Sequence, residues 1–414
     1  MNKNVFDKTS VEGISRSACT MPRREKEGRE EIFFSIIVPL YNKADYIARA
    51  LDSVFLQTFK NFELVIVDDE STDQSLYIVN QYFKAVGGIP RNVKIITARH
   101  AGVGSARNNG VANSTGYHLV FLDADDIYCL NYLESMKNLI DHWPKAKIWG
   151  TNYFIMKNGE KKIALEAPFK EGIIVYYEVY TRSLCMPLTA NSYCITRDAF
   201  EEIGGYRTDL SLGEDFDLWL KVTLRHPLVF LNKPLSVYSQ DADPKHRAMG
   251  RMHDPKGHVI FHLDEFKEDE KKIPLLKALL DRMRVATLDD YYFTEYQVAT
   301  TKIINEVDWF NQSWYDRMIY HSNRCPIPLK RTLRIMKKIL SKRKMKKRIL
   351  LLLLFVVLLL GCVSCAALVS CYMASLESMP IWDALALPPA TLALGLLVVG
   401  FPALGIYQIV INNK

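Results

Sequence analysis

Four short apolar runs, each closed by polar residues, organise the first third of the chain. Residues 33 to 41, FFSIIVPLY, are β-branched and aromatic and read as a strand. The following KADYIARALDSVFLQT sets Ile47, Leu51, Val54 and Phe55 at helical spacing, and FELVIVDD reads as a second buried strand. Ser71 to Gln74, STDQ, matches a capping box and predicts a helix over QSLYIVNQYFKAV. NVKIITAR is a third strand, SARNNGVAN a helix, and YHLVFL a fourth strand. Continuous apolar strands alternating with amphipathic helices predict an α/β fold with a mostly parallel sheet covered on both faces.

In such sheets ligands bind beyond the carboxyl ends of the strands. Polar residues gather at that edge: Tyr41 and Asn42 after the first strand, Asp68 and Asp69 after the second, Asp123 and Asp125 after the fourth. Beyond residue 150 the pattern is less regular, with IWGTNYFIM, NSYCIT and LVFLNKPLSVY as further strands and GEDFDLWLKVTL as a helix. From about residue 256 to 346 the chain reads as helical.

Two C-terminal stretches, residues 349 to 375 and 384 to 412, carry no charge over more than the roughly 20 residues a bilayer crossing needs, and predict two transmembrane helices. The formal charge of +7 is local, because residues 330 to 348, KRTLRIMKKILSKRKMKKR, hold eleven Lys and Arg and no acid. A basic run just before a membrane helix places that side in the cytoplasm and can rest on anionic lipid, which makes lipid a better partner for it than nucleic acid. The expected location is therefore the inner, cytoplasmic membrane, with the large domain in the cytoplasm and its thiols reduced. Residues 1 to 31 are polar, lack a secretory signal core and read as a disordered arm.

In an extended chain Asp123 and Asp125 of LVFLDADD point the same way, which suits Mg²⁺ or Mn²⁺ shared with a diphosphate. Solvated aspartates in a turn give the same pattern. AGVGSARNNG lacks the third glycine of a dinucleotide fingerprint, since position 107 is Arg. It brings backbone N–H groups and Arg107 towards phosphate or ribose, or else is a helix-entry turn. Glu214 and Asp215 open a helix, where the dipole favours acids in any case; a carboxylate held against the Phe216, Trp219 and Leu220 stripe also suits a general base. His258 and His262 are spaced i, i+4 like zinc ligands, but no Glu follows the first, which argues against a metalloprotease-type site.

The segments IIVPLYNKADYIARALDSVFLQTFKNFELVIVDDESTD, AGVGSARNNG, LVFLDADD and LGEDFDLWLKV, in this order over about residues 33 to 240, resemble the inverting family 2 glycosyltransferases of GT-A fold. The resemblance implies that Pro39, Tyr41 and Asp69 line the base pocket and that Asp123 holds the ribose side. It further implies that Asp125 binds the metal on the diphosphate, that Asp215 is the general base and that Glu214 contacts the acceptor. SQDADPKHRAMG falls where relatives carry a loop that closes over the donor, which would bring His246 and Arg247 to the diphosphate; a solvated loop is the alternative. The QxxRW motif of processive members such as cellulose and hyaluronan synthases is absent, so one sugar is expected per acceptor.

The expected organisation is an arm over 1–31, a GT-A domain over 32–255, a helical region with its basic segment over 256–348, and membrane helices over 349–375 and 384–412. The expected function is a non-processive, metal-dependent hexosyl transfer from a nucleotide-sugar, UDP-linked, to a lipid-linked saccharide in surface polysaccharide synthesis. Two rivals are transfer to polyprenyl phosphate, as in dolichol-phosphate-mannose-type synthases, where no base is needed, and a membrane-anchored nucleotide-sugar-binding protein without turnover.

Overall fold

A computed structural model describes residues 31–166, 171–183, 185–241, 252–288, 291 and 294–312. The chain divides into two units, residues 1–323 and 324–414, and all the described residues lie in the first. Both predicted membrane segments, the basic run at 330–348, the N-terminal arm to residue 30, and His246 with Arg247 lie outside the described residues. Among the described residues no helix is long and apolar enough to cross a membrane.

The first half follows the predicted alternation: β1 (Phe34–Leu40), α1 (Ile47–Phe55), β2 (Phe62–Asp68), α2 (Ser75–Ala85), β3 (Val93–Thr97), α3 (Val103–Ala112) and β4 (His118–Phe121). Strand β1 pairs in parallel with β2 and β4, and β2 with β3. The second half adds β5 (Ile127–Tyr128), α4 (Tyr132–His142), β6 (Ile148–Lys157), β7 (Glu160–Ile163), β8 (Gly172–Ile174) and α5 (Tyr176–Ser183). It continues with β9 (Tyr193–Thr196), α6 (Arg197–Glu202), α7 (Glu214–Thr223) and β10 (Leu228–Ser239). The strands form one sheet in the order β3-β2-β1-β4-β9-β6-β10-β5, with β7 on β6 and β8 on β10. Strand β9 runs antiparallel to both β4 and β6, so the sheet changes direction beside the strand that carries the aspartates.

Period-two alternation sends the residues of β1 to two cores. Phe34, Ile36, Val38 and Leu40 meet Leu51 and Val54 of α1 and Leu133, Met136 and Ile140 of α4 on one face. Ile37 joins Val65, Val67 and Phe121, with Ala106 and Val111 of α3 and Trp219 of α7, on the other. Helix α4, absent from the sequence reading, buries Tyr132, Leu133, Met136 and Ile140, a spacing that did carry the helical signal.

Past residue 255 the described chain begins as short 3₁₀ turns and continues as α8 (Lys267–Lys272), α9 (Pro274–Leu288) and α10 (Gln297–Asn305). The helical region expected to begin a new part at 256 instead shares the core of the sheet domain: Val259, Ile260, Leu263 and Leu276 pack in the cluster that holds Trp219. His258 and His262 flank the 3₁₀ turn Val259–Phe261 at its two ends rather than sit on one α-helix face. His258 Nδ1 accepts from the Ile260 amide at 3.2 Å, and His262 Nε2 lies 2.8 Å from the Lys256 carbonyl.

Candidate active site

The loops after β1 and β2 are laced together at the carboxyl edge of the sheet. Asn42, at φ +52°, accepts the Thr72 amide on Oδ1 at 2.8 Å, and its own amide donates to Ser71 Oγ at 3.2 Å. Ser71 is thus spent on the neighbouring loop and does not cap α2, contrary to the capping box expected over STDQ. Helix α2 begins at Ser75, whose amide donates to Asp73 Oδ1 at 2.8 Å.

Asp69 is a buried hub on this edge. Its carboxylate accepts the amides of Ala101 at 3.0 Å and Gly102 at 3.1 Å and lies 2.8 Å from His100 Nδ1. The His100 ring stacks on Tyr41, with centroids 4.2 Å apart and planes 18° from parallel. Tyr41 remains 38% exposed, so this pair is a platform open to solvent. Pro39 lies inside β1, buried and in register with Val67.

The chain leaves the strand at Leu122 and turns: the Asp126 amide donates to the Asp123 carbonyl at 2.9 Å. The face alternation expected of Asp123 and Asp125 requires extended backbone and does not apply to this turn. The two carboxylates instead meet different cations. Arg107 donates to Asp123 Oδ1 at 2.7 Å, and Lys43 Nζ lies 2.6 Å from Asp125 Oδ2. Asp126, fully buried, accepts the Ser239 amide and Asn191 Nδ2, each at 2.7 Å, which ties the turn to β10. Burial, with the Asp125 and Asp123 carboxylates beside it, pushes the Asp126 carboxyl well above its usual range.

Arg107 is the buried centre of the site. From α3 it donates to Asp123, to Asp215 Oδ1 at 3.0 Å and to Glu214 Oε1 at 3.2 Å, and its guanidinium lies 4.9 Å from the Tyr206 ring centroid. Burial opposes its charge, but Asp123, Asp215 and Glu214 prevail and hold its pKa well above the ordinary value. Its side chain is 2% exposed and committed to carboxylates, so the guanidinium sits beneath the rim rather than out where a phosphate would meet it.

Gly213, at φ +89°, turns the chain into α7, and a Cβ there would lie 2.2 Å from Val259 Cγ1. This close turn delivers Glu214 and Asp215 at the helix start, where the dipole favours carboxylates. Burial lifts the Asp215 carboxyl most; Arg107 draws it down, while Glu214 and Asp123 raise it again, and the outcome is about 7. A carboxyl balanced there can accept a proton near neutral pH.

Among the described residues no group of three His, Cys, Asp or Glu gathers to hold a metal. Asp125, backed by Asp123 two residues away, fits a hard cation that takes most of its shell from a diphosphate and water. Sequence reasoning passed over Lys43, His100, Arg49 and Tyr206. Lys43 stood beside the polar end of β1 and was in that sense visible, whereas the pairing of His100 with Tyr41 joins loops 59 positions apart and had no local signal.

Residues 35–200 match the family described as glycosyl transferase family 2. The glycosyltransferase GlyA of Streptococcus pneumoniae is 30% identical over 220 residues, 49% of this chain and 30% of that protein. The minor teichoic acid biosynthesis protein GgaB of Bacillus subtilis is 25% identical over 297 residues, 66% of this chain and 32% of that protein. The chain thus spans about a third of the length of each of these two. Among solved structures, TarS of S. aureus (residues 1–349, with UDP-GlcNAc) covers 74% of this chain and 91% of its own at 20% identity and a TM-score of 0.52, which shows a shared fold. Residues 35–200, which carry the first part of the carboxylate rim, thus form a domain that matches glycosyl transferase family 2.

Proposed function

We propose that the protein transfers one hexosyl unit from a UDP-sugar to a hydroxyl of a lipid-linked saccharide at the cytoplasmic face of a membrane, with inversion at the anomeric carbon. The observation that carries this reading is Asp215: a carboxyl raised to about 7, hydrogen-bonded to Arg107 and linked through it to Asp123. Base and donor-side carboxylate thus share one buried cation.

In this reading the base of the nucleotide stacks on Tyr41 and is read by Asp69, and Asp123 takes the ribose. The acceptor hydroxyl gives its proton to Asp215 as its oxygen attacks the anomeric carbon. The bond to the diphosphate breaks on the opposite face, and the nucleoside diphosphate leaves with that electron pair. Arg107 keeps Asp215 ionisable and oriented; Glu214, held by the same guanidinium, contacts the acceptor. A Mg²⁺ or Mn²⁺ ion at Asp125 would supply charge neutralisation for the departing diphosphate. His246 and Arg247 are proposed as further diphosphate contacts.

The UDP preference is supported by the TarS structure, solved with UDP-GlcNAc, and the acceptor class by the teichoic acid role in the name of GgaB. The membrane location is supported by the two uncharged stretches and the basic run before them. The test is nucleotide release from UDP-, GDP- and dTDP-sugars by the purified full chain in nanodiscs, with Mn²⁺ or EDTA and with lipid extract as the acceptor source. Release specific to one donor, lost in Asp125→Ala and Asp215→Asn, is expected. No release from any donor would favour a binding protein without turnover.

A further inference from the structure

Lys43 stands in a fixed loop. Its amide donates to Ser75 Oγ at 2.7 Å, and the next amide, of Ala44, donates to Asp73 Oδ2 at 3.1 Å. The ammonium reaches Asp125 Oδ2 at 2.6 Å, with 15% of each side chain exposed. On the other side, Arg49 donates to the Asp125 carbonyl at 2.6 Å and to Ser239 Oγ at 3.2 Å, which fixes the Asp125 backbone independently of Lys43.

The two rim carboxylates are therefore held in different ways. Asp123 is bound by a buried guanidinium shared with Glu214 and Asp215 and seated over Tyr206, and that cation has no freedom to turn. Asp125 is bound by a compact ammonium on a flexible stem, 15% exposed where the Arg107 side chain is 2%, with Asp125 as its ion-pair partner among the described residues. A divalent cation binds a carboxylate oxygen at about 2.0–2.2 Å, and an ammonium 2.6 Å from the same oxygen would face it as a like charge. The nearest compensation for the displaced ammonium is the negative oxygen of a phosphate, which lysine binds as a point charge.

We propose that Lys43 is a diphosphate-binding residue that exchanges partners: it holds Asp125 until a divalent cation takes that carboxylate, and then pairs with the donor diphosphate. This rests on the reading of the site as one for a nucleoside diphosphate. It follows that Lys43 supplies positive charge to the diphosphate once a cation holds Asp125, and that it competes with the cation for Asp125.

Calorimetric titration of the full chain in nanodiscs separates these roles, with UDP and uridine titrated in saturating Mn²⁺ and Mn²⁺ titrated alone. Lys43→Met should weaken UDP binding in saturating Mn²⁺ by about 10- to 100-fold, the size of a charge-assisted hydrogen bond, and leave uridine unchanged. It should also tighten Mn²⁺ binding about tenfold in the absence of nucleotide, as removal of a competing charge requires. Lys43→Arg should retain most of the UDP affinity. Unchanged UDP and Mn²⁺ affinities in Lys43→Met would reduce the pair to a structural tie, and an equal loss of uridine binding would mean that the loop had collapsed; either result overturns the proposal. Wild-type protein that binds no nucleoside diphosphate, with GDP and dTDP also tried, would instead remove the donor reading beneath it.

Discussion

Asp215 Oδ1 accepts a hydrogen bond of 3.0 Å from Arg107, and the same guanidinium donates to Asp123 at 2.7 Å. The proposed base thus sits in a field set by one buried cation and two neighbouring carboxylates. Its carboxyl rests at about 7 because burial and the Glu214 and Asp123 charges raise it while Arg107 lowers it.

The first prediction concerns pH. Asp215 works as a base only when ionised, so kcat/KM should climb about tenfold per pH unit below about 7 and level off above it. Asp215→Asn should cost about 10²- to 10⁴-fold in kcat while donor binding survives. Undiminished turnover in that variant would instead indicate an acceptor that is already an anion, such as polyprenyl phosphate.

Arg107→Met removes the shared cation and leaves three carboxylates without it. Breaking a buried pair from one side costs about 3–5 kcal/mol, so a fall in Tm is expected by thermal unfolding. In the folded fraction the Asp215 carboxyl loses the charge that lowers it, and the rising limb of the pH profile should shift to higher pH.

Tyr41→Ala removes one ring of the platform formed with His100. If the base of the nucleotide stacks there, Kd for UDP should rise about 2- to 10-fold, the worth of an aromatic pair, with little change in Tm because Tyr41 is 38% exposed. An unchanged Kd would place the base elsewhere.

Gly213→Ala should fail on two counts, a φ of +89° and a Cβ within 2.2 Å of Val259 Cγ1. Strained backbone alone costs about 1–3 kcal/mol. Pairing it with Val259→Ala removes the Cγ1 clash but leaves the residue 259 Cβ within 2.8 Å and the φ strained, so only a small recovery of Tm is expected, with activity recovering less because Asp215 hangs on this turn.

Acid should destabilise the fold through two buried rings. Burial lowers His118 and His258 from 6.5 to about 4, so the unfolded chain takes up their protons at a higher pH than the fold does. The stability that the neutral rings confer is complete above about pH 6.5 and is lost as pH falls towards 4, up to about 3 kcal/mol per ring. His118→Phe, which keeps an aromatic ring beside Phe33 and Trp149, should flatten the fall in Tm across that window.

Strand and helix identity in the first 120 residues was legible because it rests on short-range periodicity, and the rim aspartates were legible because strand ends converge at one edge of such a sheet. Ser71, Asp125 and Arg107 show where that reading stops. Ser71 had the spacing of a cap, yet its hydroxyl serves the Asn42 amide. Asp125 had the spacing of a same-face partner of Asp123, yet the chain turns between them. Arg107 had the look of a phosphate ligand, yet its guanidinium is spent on Asp123, Glu214 and Asp215. The sequence by itself determined the alternating α/β pattern, the family motifs and the residue types at the rim, all of which are local. Tertiary structure alone decided which cation meets which carboxylate, and with it the proton affinity of Asp215, because charge pairing and desolvation depend on groups as far apart in sequence as 107 and 215.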